Sequence, residues 1–223
     1  TTEIEGKLGT ATETTLNIKN SGKDSVTLTP LLQPFTAAQT ENGEVQYQDH
    51  IPAFLKYVQV YADGAIMKEV TLEPGEEKNL ILKILIPREE KPQDYYFSLI
   101  MLSEPSLPEK VTSDKNVRAE TAISAGVASH VLLSIEPKAI REVKLVDFSS
   151  PLLSRESKVS FRVRVTNESQ NFTKVGGKIT VENFLGNAIE DMEISQTLVL
   201  SRSTRLLTER NDKLDTSTSS KAN

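Results

Sequence analysis

Apolar residues recur at every second position in short runs along this chain, and turn-forming residues close each run. Side chains of an extended strand point alternately to two faces, so this period predicts strands with one buried and one wet face. Leu16 and Ile18 alternate with Thr15, Asn17 and Lys19, and Asn20-Ser21-Gly22-Lys23 returns the chain into Val26 and Leu28, which predicts a first hairpin. Residues 34–50, with Pro34 and Asn42-Gly43, read as a connection holding one short strand at Val45 and Tyr47. Tyr57, Val58, Val60 and Tyr61 form the next strand, ended by Asp63-Gly64. Val70 and Leu72 lead into Glu73-Pro74-Gly75-Glu76, where Pro sets φ and Gly supplies the positive φ of a type II turn.

Leu80 to Ile86 is apolar enough to lie centrally in a sheet, and Tyr95 to Leu102 is the next strong strand. Glu104 to Glu120, rich in Pro, Ser, Lys and Asp, reads as an exposed hairpin loop, and Ala122 to Ile135 resumes as a strand. Glu136-Pro137 ends it, and the domain boundary is placed there because Pro cannot donate a ladder hydrogen bond. Beyond it, Val143, Leu145 and Phe148 precede the cleanest alternation of the chain, Val159, Phe161, Val163 and Val165 against Ser160, Arg162, Arg164 and Thr166. Ile179, Val181 and Phe184 follow, flanked by Gly176-Gly177 and Gly186-Asn187 as turns; then come Ile189, Met192 and Ile194, Leu198 to Leu200, and Leu206-Leu207.

The predicted fold is all-β: two tandem immunoglobulin-like antiparallel β-sandwiches over residues 1–136 and 137–207, and a disordered C-terminal tail over 208–223. A seven-strand sandwich needs one or two strands more than the second segment supplies. Either that domain is incomplete or another chain contributes a strand.

Composition narrows the function. The net charge is −5 with both signs interspersed, which argues against nucleic acid as a partner. Tryptophan is absent, so stacking platforms for sugars or bases would have to come from five Tyr and seven Phe. Zero cysteine removes disulfides, thiolate nucleophiles and sulfur-ligated metals together. No apolar run is long enough to span a membrane, and the Thr-Thr-Glu start reads as that of a processed or truncated product whose signal peptide has been removed.

Both halves carry Asn at the end of an alternating strand, as Asn20-Ser21-Gly22 and Asn167-Glu168-Ser169. The first half adds Leu72-Glu73-Pro74-Gly75-Glu76, a long apolar strand, Pro87, and then Asp94-Tyr95-Tyr96. This order resembles bacterial cell-surface proteins with tandem immunoglobulin-like domains of the WxL-interacting type, and at the level of fold the first domain of pilus chaperones. The resemblance covers roughly residues 8–207 and implies a peptidoglycan- or envelope-protein-binding module. Gln93 replaces the small residue expected before the Asp-Tyr-Tyr step, and no ligand residue carries over.

Candidate chemistry is sparse. His50 falls in a polar loop and His130 in a strand, neither with companion ligands at motif spacing. Glu76-Glu77 and Glu89-Glu90 are adjacent and so point to opposite sides of an extended chain, which excludes paired acid/base work. Asp63-Gly64, Asp212 and Asp215 lack the oxygen density of a calcium loop, and neither Gly176-Gly177 nor Gly186-Asn187 precedes a phosphate-binding helix. Tyr95 or Tyr96 is placed as a tyrosine corner bonding nearby backbone. Asn167 and Asn171 both match the glycosylation pattern, with turn-favouring polarity as the plainer explanation. No catalytic residue, cofactor or metal site is assigned.

The function expected is a non-enzymatic extracytoplasmic surface protein with a structural, adhesive or cell-wall-binding role. Its partners would be a cell-envelope protein or peptidoglycan, with self-assembly through an unpaired strand edge. Tyr57 and Tyr61 mark the face to probe for wall binding. The alternative is a periplasmic-chaperone-like assembly factor that uses strand donation and anchors its client on a basic residue. For that anchor Arg162 and Arg164 are the only clustered strand arginines, and their alternation places them on a solvent stripe.

Overall fold

The computed structural model of the protein describes residues 1–103, 126–138, 140, 142–150, 160–183 and 185–210. It is all-β, with one short 3-10 turn at Ala53–Tyr57 among the described residues. Two compact units divide the chain: residues 1–35 with 47–137, and residues 36–46 with 138–223. The segment Thr36–Gln46, kept in the first half by the sequence reading, clusters with the second unit.

The first unit is a β-sandwich of two sheets around one core. One sheet has the order β1-β10-β9-β3-β4, with β7 also on β3: β1 is Thr2–Lys7, β3 Val26–Ala37, β4 Val45–Tyr47, β7 Val70–Leu72, β9 Asp94–Ser103 and β10 Gly126–Glu136. The other has the order β2-β8-β5-β6, built from β2 (Ala11–Lys19), β8 (Glu77–Leu85), β5 (Val58–Ala62) and β6 (Ala65–Ile66). The period of two does the packing. Leu80, Leu82 and Ile84 of β8 are fully buried, whereas Ile81 and Leu85 between them face outward. Phe97, Leu99 and Met101 of β9 and Val131, Leu133 and Ile135 of β10 close the core from the opposite sheet. Each such side chain contributes about 1.5–3 kcal/mol by leaving water.

The expected first hairpin does not form. β2 pairs with β8 while β3 pairs with β9 and β7, so the Asn20 turn carries the chain from one sheet to the other. Alternation states which face of a strand is apolar, and both strands have one; it is silent on which strand lies alongside. Asn20 holds the crossing. Its Nδ2 donates to the carbonyls of Asp24 (2.8 Å) and Leu72 (3.0 Å), and its Oδ1 accepts from Gly22 N–H (2.9 Å).

In the second unit β12 (Ser160–Asn167) lies between β11 (Val143–Ser149) and β15 (Ser203–Arg210), and β13 (Thr173–Glu182) pairs with β14 (Ala188–Val199). Phe161, Val163 and Val165 of β12 meet Ile179, Val199 and Leu207 in its core. Three sequence expectations change here. Gly176 and Gly177 lie inside β13, at a register shift between Val175 and Gly177, instead of in a turn. Ile189 to Leu198 belongs to one long strand, and β15 runs through Thr208 to Arg210, which the reading had assigned to the tail. The expected loop at Glu104–Glu120, Asp212, Asp215 and the tail from residue 211 lie outside the described residues.

Asn167 repeats the device of Asn20. It is fully buried, donates to the carbonyls of Asn171, Val199 and Leu200, and accepts from Ser169 N–H. Asn171 is buried as well, which takes both glycosylation-pattern asparagines off the accessible surface.

Candidate strand-docking edge

β10 changes character along its length. β1 pairs with it in parallel from Thr2↔Val131 to Lys7↔Glu136, so that half has neighbours on both sides. Gly126 to His130 pair only with β9, from Gly126↔Leu102 to His130↔Ser98; among the described residues no strand lies on their other side. Burial follows the pairing. Val131 to Ile135 are buried throughout, whereas Gly126 to Ala128 are exposed and Val127 stands 77% accessible. An unpaired run of N–H and C=O groups beside an apolar side chain is a template for a further strand.

Beside this edge the two sheets gape. Among the described residues β2 is the edge strand of its sheet, and between it and the free half of β10 opens a cleft of about 230 Å³. Leu16 and Ile18 of β2 form one wall and Leu99, Met101, Val127 and Ser129 the other, with Leu28 and Leu80 also lining it. Leu16 and Ile18 are half-buried by the core, and among the described residues no strand covers them. Lys19 at the rim is held by Glu77 at 2.5 Å.

Next to the free half, His130 turns to the opposite face of the sheet. Its Nδ1 lies 2.7 Å from the hydroxyl of fully buried Ser98, and its ring stands edge-on to Phe35 at 5.0 Å. Burial, with a smaller push from the N-terminal charge, holds the imidazole below its ordinary pKa. The ring is thus a packed member of the group formed with Phe35, Tyr47 and Tyr96.

The remaining sequence candidates scatter. His50 is exposed in a loop. Glu76 caps Glu73 N–H at 2.8 Å while Glu77 pairs with Lys19, and Asp63 in its turn pairs with Lys78 at 2.9 Å. Tyr95 stacks on Phe54 at 4.2 Å, but its hydroxyl donates to Glu90 Oε1 at 2.5 Å, so the expected backbone-bonded corner is replaced by a carboxylate partner. Tyr96 donates to Asp94 Oδ2 at 2.9 Å. Asn183 Oδ1 accepts from Leu185 and Asn187 N–H, which makes Gly186-Asn187 a turn. No group of three or more His, Cys, Asp or Glu suited to a metal occurs among the described residues.

Arg164 departs from the solvent stripe. It forms a two-pronged pair with Glu41, Nε to Oε2 at 2.8 Å and Nη2 to Oε1 at 2.5 Å. That hydrogen bond, opposed by burial, keeps the Glu41 carboxyl below its usual range. Arg164 is therefore occupied and does not serve as an open anchor; Arg162 remains exposed.

No family model and no curated protein matches this sequence. Solved structures similar to the chain include the CsuC–CsuE chaperone–tip adhesion subunit pre-assembly complex of Acinetobacter baumannii, 12% identical over 93% of this chain and 83% of that one, with a TM-score of 0.46. They also include the CupB2 chaperone of Pseudomonas aeruginosa (13%, 93% and 86%, TM-score 0.43) and the E. coli chaperone DraB (10%, 92% and 80%, TM-score 0.43). Likenesses at this level carry no function across to this chain. They do correct the family expectation: these neighbours are chaperones, the first from chaperone-usher Csu pili, and the WxL-type resemblance is withdrawn. The reading as an adhesive or cell-wall-binding surface protein goes with it, as does peptidoglycan as a partner.

Proposed function

We propose that this chain is a non-enzymatic assembly factor, built of two tandem immunoglobulin-like sandwiches and working outside the cytoplasm, that holds an extended client strand against the free half of β10. The observation that carries this reading is the pairing change at Val131: β1 covers β10 from there onward, whereas Gly126 to His130 have no second strand among the described residues, and Val127 and Ser129 of that run line the cleft. A strand laid along that edge would hydrogen-bond through its backbone and place every second side chain in the cleft between Leu16, Ile18 and Val127. The fitting client is an alternating segment, with β-branched or aliphatic residues inward and polar residues outward. The asparagine device repeated at Asn20 and Asn167 supports the tandem architecture, since the same corner closes the same crossing in both units.

The test is a titration of the isotope-labelled full chain with a short alternating Val/Thr peptide, followed by amide chemical shifts. Binding should move the amides of Gly126 to His130 and of Leu16 to Lys19. Val127→Asp, which sets a carboxylate at the cleft wall, should weaken binding by about tenfold or more. The proposal is sunk if those amides are already protected from exchange in the free chain and do not respond to peptide.

A further inference from the structure

The Asn42-Gly43 pair absorbed by neither the fold nor the edge has chemistry of its own. It sits at the tip of Thr36–Gln46, closed at its base by Ala38 N–H to Glu44 C=O at 2.9 Å. Three features converge on it. Asn42 Oδ1 accepts two hydrogen bonds, from the Thr40 hydroxyl at 2.7 Å and from Glu44 N–H at 3.1 Å. The Gly43 amide donates to nothing among the described residues. Finally, the Arg205 guanidinium lies so close against Gly43 that a β-carbon there would overlap Nη1; the glycine has φ +90°.

We propose that Asn42 is a self-catalysed deamidation site. The Gly43 amide nitrogen, its proton lost to solvent base, attacks Asn42 Cγ. As the Cγ–N bond forms, Oδ1 becomes anionic, and the Thr40 and Glu44 donors already aimed at it act as an oxyanion hole. Thr40 has one proton to divide between Asn42 Oδ1 and Glu44 Oε2, which lies 3.0 Å away, so its donation shifts to Oδ1 as charge develops there. The adjacent Arg205 cation favours the amide anion. Collapse breaks Cγ–Nδ2 and releases ammonia with a proton from solvent, leaving a succinimide. Water opens the ring at either carbonyl to give aspartate or isoaspartate. The sum is one water consumed and one ammonia released, with no change of oxidation state. The product is a new carboxylate one residue from the glycine that Arg205 covers, and the buried Arg205 Nε has no hydrogen-bond partner among the described residues before it forms.

Folding should therefore speed this reaction where it ordinarily slows it. The full chain is incubated at mildly alkaline pH, folded and in parallel unfolded in urea, and the peptide spanning residue 42 is followed by mass spectrometry with fragmentation that separates aspartate from isoaspartate. Conversion at residue 42 is expected to be faster in the folded chain than in the unfolded one. Thr40→Val should slow the folded rate by about two- to tenfold and leave the unfolded rate unchanged, while Thr40→Ser retains the folded rate. A folded rate equal to or below the unfolded one, or a folded rate untouched by Thr40→Val, overturns the proposal.

Discussion

Replacing Asn167 by alanine tests whether the buried asparagine corner is structural capital or a turn residue like any other. Five hydrogen bonds meet at this side chain: Nδ2 to the carbonyls of Asn171 (2.9 Å), Val199 (3.1 Å) and Leu200 (3.1 Å), and Oδ1 from the N–H (3.0 Å) and hydroxyl (2.5 Å) of Ser169. Not all partners are stranded by truncation. Asn171 O keeps the Ser169 hydroxyl at 2.7 Å, and Leu200 O keeps the Ser203 hydroxyl at 2.9 Å. Val199 O and Ser169 N–H lose their side-chain partner in a site with no solvent access. At roughly 1.5 kcal/mol for each stripped buried group, the loss is about 3 kcal/mol, a large part of a domain's usual 5–15. Asn167→Asp keeps the acceptor, removes all three donations and sets a carboxylate against carbonyl oxygens, so it should cost at least as much. Urea unfolding of the full chain, read by hydrogen exchange at β12 and β15 so that the second unit reports on itself, measures both. An Asn167→Ala chain within about 0.5 kcal/mol of the parent would refute the reasoning, since that is the range of an ordinary surface change.

Two pH dependences follow from named pairs. Burial, reinforced by the bond to Glu90, pushes the Tyr95 phenol up to about 12, whereas an unfolded phenol ionises near 10. Its contribution is full below that lower value and falls as pH climbs between the two, so ultraviolet titration should show one late-ionising tyrosine that vanishes in Tyr95→Phe. At the acid end, the Glu41 carboxyl is held low by the Arg164 hydrogen bond, so its stabilisation is present above the ordinary carboxylate range and is lost as pH falls through the lower folded value. Glu41→Gln should flatten that acid limb by a small amount, because the pair is solvent-screened; an unaltered acid unfolding curve would count against the pair.

What could be read in advance was the face of each strand, not its neighbour. The Leu80 to Ile86 run was legible as a central strand because four apolar residues recur at every second position there, and all four are fully buried. The Asn20 turn misled because strands of opposite sheets carry the same alternation as strands of one hairpin. Gly176-Gly177 misled for a related reason: paired glycines mark a turn or a bulge equally well, and the ladder to β14 decides. Arg164 was correctly placed opposite the core face of β12, but its partner Glu41 lies 123 residues away in sequence and no local pattern announces it. The half-free edge of β10 belongs to the same class. Nothing in Gly126 to Glu136 says that β1 covers only the second half.

That division of β10 has a mechanical consequence. A strand edge open along its whole length invites uncontrolled pairing, while one fully covered cannot bind. Here the two demands are separated along one strand: Val131, Leu133 and Ile135 are anchored on both sides and fully buried, so they carry stability, whereas Val127 and Ser129 line the cleft and contribute little to the core. Truncating Val131 should therefore leave a cavity and destabilise the first unit, whereas changing Val127 should alter recognition and leave unfolding nearly untouched. A client strand on the free half would extend the sheet that β1 already extends beside Val131, meeting a rigid register set by the core and not by the client. The cleft then selects by side-chain alternation, because a client shifted by one residue would turn its polar face toward Leu16 and Ile18.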